Sequence, residues 1–375
     1  MAKNIRVLVV DDSPTMCRLL TSILGSDPAI EVVGTAPDPY AARDTIKKLN
    51  PDVLTLDVEM PLMDGLAFLR NLMRLRPMPV VMCSTLTQQG AAVALDALEI
   101  GAVDFVGKPA SSGANNLDSF AQELIAKVKA AAHARVRSLP DAPTPDAGRR
   151  PEGGQIVPAH GAWPHSALAN RIVAIGASTG GTEAIKQVLM DLPREMPGVV
   201  IAQHIPKAFS GKFARRMDEA SRLEVCEAED GQPILPGHAY IAPGDLHLIV
   251  VRDPEGYRCQ LSDGEPVNRH RPSVDVLFRS VARSAGRHAI GVILTGMGRD
   301  GAEGMKEMLD EGAATMAQDE NTSVVWGMPG AAWHIGAVEA LHALPDIAGR
   351  IMELVAASVD GLRHTTKKPP RTMAG

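Results

Sequence analysis

The sequence predicts an α/β protein built as two parallel-sheet units, and three observations carry that reading. Short runs of β-branched and aliphatic residues alternate with amphipathic stretches through both halves of the chain. The alternation breaks over residues 130–169, where Pro, Gly, Ala and charge follow no period. Polar residues stand directly after the apolar runs, where an open parallel sheet gathers its ligands. At 375 residues the chain is long enough for two separate cores.

Residues 5–10, Ile-Arg-Val-Leu-Val-Val, read as a buried parallel strand. Ser13 then offers an N-cap, Pro14 suits the first helical position, and Met16, Leu19, Leu20 and Ile23 mark one helical face. Further strands are expected at 30–35, 52–57, 79–84 and 102–106. Helices are expected at 38–49, 65–75, 88–99 and 117–137. The result is a (βα)5 unit over residues 1–128 whose site lies outside the carboxyl ends of its strands.

Those strand ends are chemically specific. Asp11-Asp12 follow the first strand, Asp57 the third, Ser84-Thr85 the fourth and Lys108-Pro109 the fifth. One acidic residue at a strand end is an ordinary loop residue, but three carboxylates at one edge repel unless a divalent cation joins them. Oxygen-only ligands of this kind suit Mg2+. Lys108 can pair with an anion and Ser84 can hydrogen-bond one, so the set allows phosphoryl transfer onto Asp57. With Asp11-Asp12, Asp57 inside Leu56-Asp57-Val58-Glu59-Met60-Pro61-Leu62-Met63-Asp64-Gly65, Ser84 and Lys108-Pro109, the stretch from about residue 4 to 128 resembles the flavodoxin-like receiver domain of two-component response regulators. The resemblance implies that Asp57 accepts a phosphoryl group from a histidine kinase. It also implies that Ser84, the aromatic Phe105 and Lys108 form the switch, and that the backbone carbonyl of Glu59 joins Asp11, Asp12 and Asp57 around the metal.

Residues 129–169 read as a partly disordered linker kept extended by its prolines. His133, His160 and His165 have no partner at metal-ligand spacing and read as solvated. The net charge of −6 leaves no basic footprint for nucleic acid. An aromatic fraction of 3% argues against stacking platforms for bases. The four cysteines form no close pair, so neither a disulfide framework nor a zinc site is expected; Cys17 and Cys83 read as small core residues. No signal peptide precedes the first strand, and no apolar run approaches the roughly 18 residues of a membrane span. A cytoplasmic protein without membrane insertion is the expectation. The tail, 361–375, is polar and Pro-rich and is expected to be disordered.

In the second half, the apolar run Ile172–Ile175 ends in Gly176-Ala177-Ser178-Thr179-Gly180-Gly181, and a helix is expected from Thr182. A serine at that turn lies beside the free N–H groups of a helix start, a suitable place for a nucleophile whose product is an oxyanion. A second run, Gly198–Ala202, leads through Gln203 to His204. A third, Ala289–Leu294, leads through Thr295-Gly296-Met297-Gly298-Arg299 to Asp300. The three polar residues each stand just past a strand and can converge as nucleophile, base and orienting acid. His238, His247, His270, His288 and His334 compete for the base role, and Asp245, Asp275 and Asp319 for the acid. Gly176-Ala177-Ser178-Thr179-Gly180 matches the G-x-S-x-G elbow, but the order Ser, His, Asp differs from the Ser, acid, His order of α/β-hydrolases. No Lys-Ser/Thr follows the glycines, so a Walker A loop is excluded.

Residues of about 170–357 resemble the catalytic domain of the chemotaxis protein-glutamate methylesterases and protein-glutamine glutaminases. The resemblance rests on Ile175–Gly181, Gln203-His204-Ile205-Pro206, Gly237–Gly244, Arg271–Phe278, Leu294–Gly301 and Ser323–Pro329. It implies a doubly wound, mostly parallel α/β catalytic domain, placed at 170–360, with the triad Ser178, His204 and Asp300. It makes the Met297 backbone an oxyanion contributor, with Thr179 shaping the same site, and calls for no cofactor in this half. The Gly237–Gly244 run reads as a turn and short strand walling a cleft. Methyl-accepting chemoreceptors are the implied substrate, with methanol released from glutamate γ-methyl esters and selected glutamines deamidated. The receiver in front is expected to cover the Ser178 cleft until Asp57 is phosphorylated.

Overall fold

The structure, a computed structural model, describes residues 4–60, 63–85, 87–108, 114–136 and 165–365. Its first unit runs β1 (Ile5–Val10), α1 (Pro14–Gly25), β2 (Ile30–Ala36), α2 (Pro39–Leu49), β3 (Val53–Asp57), α3 (Gly65–Leu75), β4 (Val80–Thr85), α4 (Gln88–Ile100), β5 (Asp104–Lys108) and α5 (Ala114–Ala132). The helices begin where short polar side chains supply the missing acceptors: Ser13 takes the Met16 N–H, Asp38 those of Tyr40 and Ala41, Asp64 that of Ala67 and Thr87 that of Gly90. The strands pair in parallel in the order β2-β1-β3-β4-β5. The order reverses between β1 and β3, so Asp11, Asp12 and Asp57 emerge at the switch point of the sheet.

The second unit runs α6 (His165–Ala169), β6 (Ile172–Ala177), α7 (Gly181–Asp191), β7 (Gly198–Gln203), α8 (Lys207–Ala220), β8 (Glu224–Glu227), β9 (Pro233–Ile234), β10 (His238–Ile241), β11 (His247–Asp253), β12 (Gly256–Ser262) and α9 (Val274–Ala285). It continues through β13 (Ala289–Ile293), α10 (Ala302–Asp310), β14 (Ala314–Gln318), α11 (Met328–His334), β15 (Ala340–His342) and α12 (Leu344–Thr365). Seven strands form a parallel sheet, β15-β14-β13-β6-β7-β10-β8, and β11-β12-β9 form a small antiparallel one. Every residue of β6, β7 and β13 is buried, as expected of central strands covered on both faces. The two parallel sheets, of five and seven strands, are the α/β architecture read from the sequence.

Several boundaries differ from expectation for identifiable reasons. β5 starts at Asp104 rather than 102, because Gly101 (φ +114°) turns left-handed and Ala102 donates back to Ala97, closing α4. α5 ends at Ala132 rather than 137. The chain is drawn across to the second unit there, and the Arg135 N–H donates to the Val324 carbonyl at 3.3 Å. Gly237–Gly244 forms the expected turn and short strand, and that strand, β10, is an inner member of the seven-stranded sheet, next to β7. α12 continues to Thr365, so residues 361–365 of the expected disordered tail are helical. Most of the expected linker, residues 137–164, and the tail from residue 366 lie outside the described residues. Cys83 is buried as expected, whereas Cys17 is only half-buried.

Candidate active site

β6 is flanked by β7 on one side and β13 on the other. Ser178 follows β6, His204 follows β7 and Asp300 ends the turn after β13, so three neighbouring strands deliver three side chains to one sheet edge. His204 Nδ1 lies 3.1 Å from Ser178 Oγ, and His204 Nε2 lies 2.8 Å from Asp300 Oδ2. The His204 and Asp300 side chains are 8% and 1% exposed, so the relay between them is shielded from water.

The turn after β13 is pressed onto the serine. The Ser178 N–H donates to the Thr295 carbonyl at 3.0 Å, and a Cβ on Gly296 would fall 2.8 Å from Ser178 Cβ, so only glycine permits the approach. The Thr295 hydroxyl donates to the Thr179 carbonyl at 3.0 Å. Among the described residues, neither the Thr179 nor the Met297 N–H donates to a backbone acceptor. Thr179 follows Ser178 in the chain, and Met297 follows Gly296, whose Cα lies against Ser178.

Asp300 is saturated with donors. Oδ1 accepts from Asn268 Nδ2 (2.7 Å), Ser273 Oγ (2.8 Å) and the Asp275 N–H (3.2 Å); Oδ2 accepts from the Val274 N–H (2.7 Å) besides His204. Burial pushes this carboxyl up, but His204, Asn268 and the Val274 N–H outweigh it and hold Asp300 well below the ordinary carboxylate range. The start of α9 and the loop before it thus supply an anion cradle. The sequence motif Arg271–Phe278 was visible, but nothing in its spacing assigned it that task.

The competing histidines fall elsewhere, with one exception. His247 bonds the Glu265 carbonyl and the Ser273 N–H, His238 pairs with Glu224, and His334 lies edge-on to Trp326. His270, however, stacks on His204 with ring centroids 3.6 Å apart and planes 10° from parallel. Burial, and then the neighbouring His204, push His270 down to about 3, so it packs as a neutral ring. Of the competing acids, Asp275 accepts from the Gly304 N–H and from Asn268, beside the site but not on His204.

In the first unit, ligand oxygens of Asp11, Asp12 and Asp57 lie within 4.8 Å of one another. The Lys108 ammonium bridges Asp11 (2.9 Å) and Asp57 (2.8 Å). Burial raises the Asp57 carboxyl above its ordinary range, against the pull of Lys108. Glu59 is exposed and borders a small cavity with Asp12, Asp57, Val58 and Lys108. An all-oxygen, partly open carboxylate set of this kind fits a hard divalent cation. Ser84 is buried and its hydroxyl donates to the Gly90 carbonyl at 3.2 Å.

Phe105 points away from this cluster, into the contact between the two units, where it stacks on Phe209 of α8 at 4.3 Å. Beside it, Thr179 Oγ1 donates to Asp104 Oδ2 at 2.5 Å, and Lys127 holds the other Asp104 oxygen at 3.1 Å. A carboxylate of the first unit is therefore bonded to the residue next to Ser178, a contact that no sequence pattern announced. Arg216 pairs with Asp96, and Lys186 pairs with Glu99 at 2.6 Å. One apolar cluster runs across the join, from Ala94, Leu98 and Phe105 to Phe209 and Phe213.

Two family models match the chain. One, described as CheB methylesterase, matches residues 173–351; the other, described as response regulator receiver domain, matches residues 7–117. A protein-glutamate methylesterase/protein-glutamine glutaminase 1 from Xanthomonas campestris pv. campestris is 54% identical over 352 residues, covering 94% of this chain and 98% of that protein. The protein-glutamate methylesterase/protein-glutamine glutaminase of Hydrogenovibrio crunogenus is 51% identical, covering 94% of this chain and 99% of its own length. Among solved structures, the CheB methylesterase catalytic domain of Thermotoga maritima is 37% identical, with a TM-score of 0.48, over 49% of this chain and 98% of that one.

Proposed function

This chain belongs to the CheB methylesterase family, and from that membership we propose that it hydrolyses glutamate γ-methyl esters on methyl-accepting chemoreceptors and deamidates selected receptor glutamines, under control of its receiver. One observation carries the catalytic part: the unbroken Ser178 Oγ, His204, Asp300 Oδ2 relay on three adjacent strand ends. Asp300 keeps the His204 proton on Nε2, which leaves the Nδ1 lone pair facing the Ser178 hydroxyl. His204 takes the Ser178 proton as Oγ attacks the ester carbonyl. The Thr179 and Met297 N–H groups bind the oxyanion of the tetrahedral intermediate. His204 then returns the proton to the leaving methoxide, or to the leaving amine in deamidation, and water hydrolyses the acyl-enzyme by the same route.

Asp57 is the phosphorylation site in this reading, with a chemotaxis histidine kinase as donor. Asp11, Asp12, Asp57 and the Glu59 carbonyl would hold Mg2+, which when bound offsets the charge on the phosphoryl oxygens. Lys108 and Ser84 would engage the phosphoryl group, drawing β4 and β5 toward it. Asp104 and Phe105 lie on β5, so that movement pulls on their bonds to Thr179 and Phe209. Phosphorylation then shifts the population toward a state with Ser178 uncovered. Under the same proposal the receiver spans residues 1–128, the linker 129–169 and the catalytic domain 170–360. On this reading the protein acts in the cytoplasm; among the described residues, no helix is long and apolar enough to cross a membrane.

The test is methanol release from methylated receptor membranes. Ser178→Ala should abolish it, and retention of activity would end the assignment of the nucleophile.

A further inference from the structure

We propose that Gln203 is a positioning residue for the oxyanion site, holding one edge of a peptide plane whose opposite edge carries the Thr179 N–H. The inference deepens the proposed mechanism and rests on its assignment of Thr179 as an oxyanion donor. Gln203 is the last residue of β7 and is 4% exposed. Its Nε2 donates to the Ser178 carbonyl oxygen at 2.9 Å and, at 3.3 Å, to the His204 carbonyl. One side chain therefore ties the nucleophile's turn to the base's turn. The Ser178 carbonyl also accepts the Gly181 N–H at 2.7 Å.

The Ser178 C=O and the Thr179 N–H belong to the same planar, trans peptide group and point in opposite directions. Two donors on the carbonyl oxygen consequently set the direction of the N–H. A turn with a left-handed residue two positions on, Gly180 at φ +75°, has other orientations open to that plane, and the carboxamide selects one. Space for it exists because residue 181 is glycine: a Cβ there would sit 2.2 Å from Gln203 Oε1 and 2.6 Å from Ala177 Cβ. Gln203 Oε1 is itself buried and finds no donor among the described residues. An apolar side chain of the same length would avoid that cost, so the amide's distinctive contribution here is its N–H.

The experiment uses the full-length protein with methylated receptor membranes and a small phosphodonor, comparing the parent with Gln203→Met and Gln203→Glu. Methionine keeps the length and loses the donor; a carboxylate replaces the donor with an acceptor facing the Ser178 carbonyl. Removal of an oxyanion-hole donor lowers kcat by about 10²–10³. Mis-aiming one should lower kcat about ten- to a hundredfold in Gln203→Met and further in Gln203→Glu. KM should stay within about twofold, and the pH limb of kcat/KM should not move, because the group acts only on the transition state. A Gln203→Met kcat within about twofold of the parent would overturn the proposal. So would a loss of kcat accompanied by a raised KM or a moved pH limb, since that is the pattern of a general structural defect. Failure of the underlying mechanism reads out separately, as methanol release by Ser178→Ala whatever Gln203 does.

Discussion

Two buried aspartates, Asp57 in the first unit and Asp300 in the second, are driven in opposite directions. Asp57 is the last residue of β3, Asp300 ends the turn after β13, and both are buried on the carboxyl side of a parallel sheet. Asp57 receives the Lys108 ammonium and the Val58 N–H, and burial still raises its carboxyl. Asp300 receives His204, Asn268, Ser273 and two backbone N–H groups, and those donors hold it far down. Burial raises both; at Asp300 its donors outweigh that rise, whereas at Asp57 fewer donors and the neighbouring Asp11 carboxylate leave it standing. An under-coordinated carboxylate beside two others suits a group that must take on a cation and a phosphoryl group. A saturated one suits a fixed anion that orients a histidine.

That contrast yields predictions in falling order of size. Ser178→Ala removes the nucleophile and should lower methanol release by up to about 10⁶-fold. Asp300→Asn should lower kcat about 10⁴-fold with little change in KM, since an amide presents the wrong partner to His204 Nε2. Asp57→Asn should leave unstimulated activity unchanged and abolish the response to phosphodonor. Asp104→Ala removes the receiver's bond to Thr179; a charge-assisted bond contributes about 1.5–3 kcal/mol, part of it offset by water and by Lys127. A several-fold rise in unstimulated methanol release is expected, together with a smaller phosphodonor response.

The contrast can also be broken by pH. The folded-state pKa of Asp300 is depressed, so its contribution to stability is present above the unfolded value of about 3.9 and is lost as pH falls below it. For Asp57 the folded pKa is raised, so the fold favours the protonated form, and stability declines as pH rises past about 3.9 and through the folded value. Urea midpoints of Asp300→Asn should approach those of the parent as pH falls from 7 to 3. Those of Asp57→Asn should gain on the parent as pH rises over the same range. The same sign for both variants would contradict the donor argument.

Much of this is legible in the amino-acid sequence. The strand ends carrying Asp11, Asp57, Ser178, His204 and Asp300 are marked by buried β-branched runs, whose signal is local. What sequence reading missed depends on distant parts of the chain. The cradle around Asp300 joins Asn268, Ser273 and Val274 to a turn about thirty residues on, and no periodicity encodes that closure. His270 looked like a rival base and is instead the ring stacked on His204. Asp104 looked like a strand residue and turned out to bond across to Thr179. The end of α5 was misplaced because helical propensity continues past Ala132 while the tertiary contact of Arg135 with Val324 does not allow it.

The central claim is that Asp57 governs access to Ser178. Its most direct test is methanol release from methylated receptor membranes by the parent and by Asp57→Asn, each with and without a small phosphodonor. The account predicts stimulation in the parent, none in Asp57→Asn, and equal unstimulated rates. Stimulation that persists in an Asp57→Asn protein carrying no phosphoryl group would contradict it.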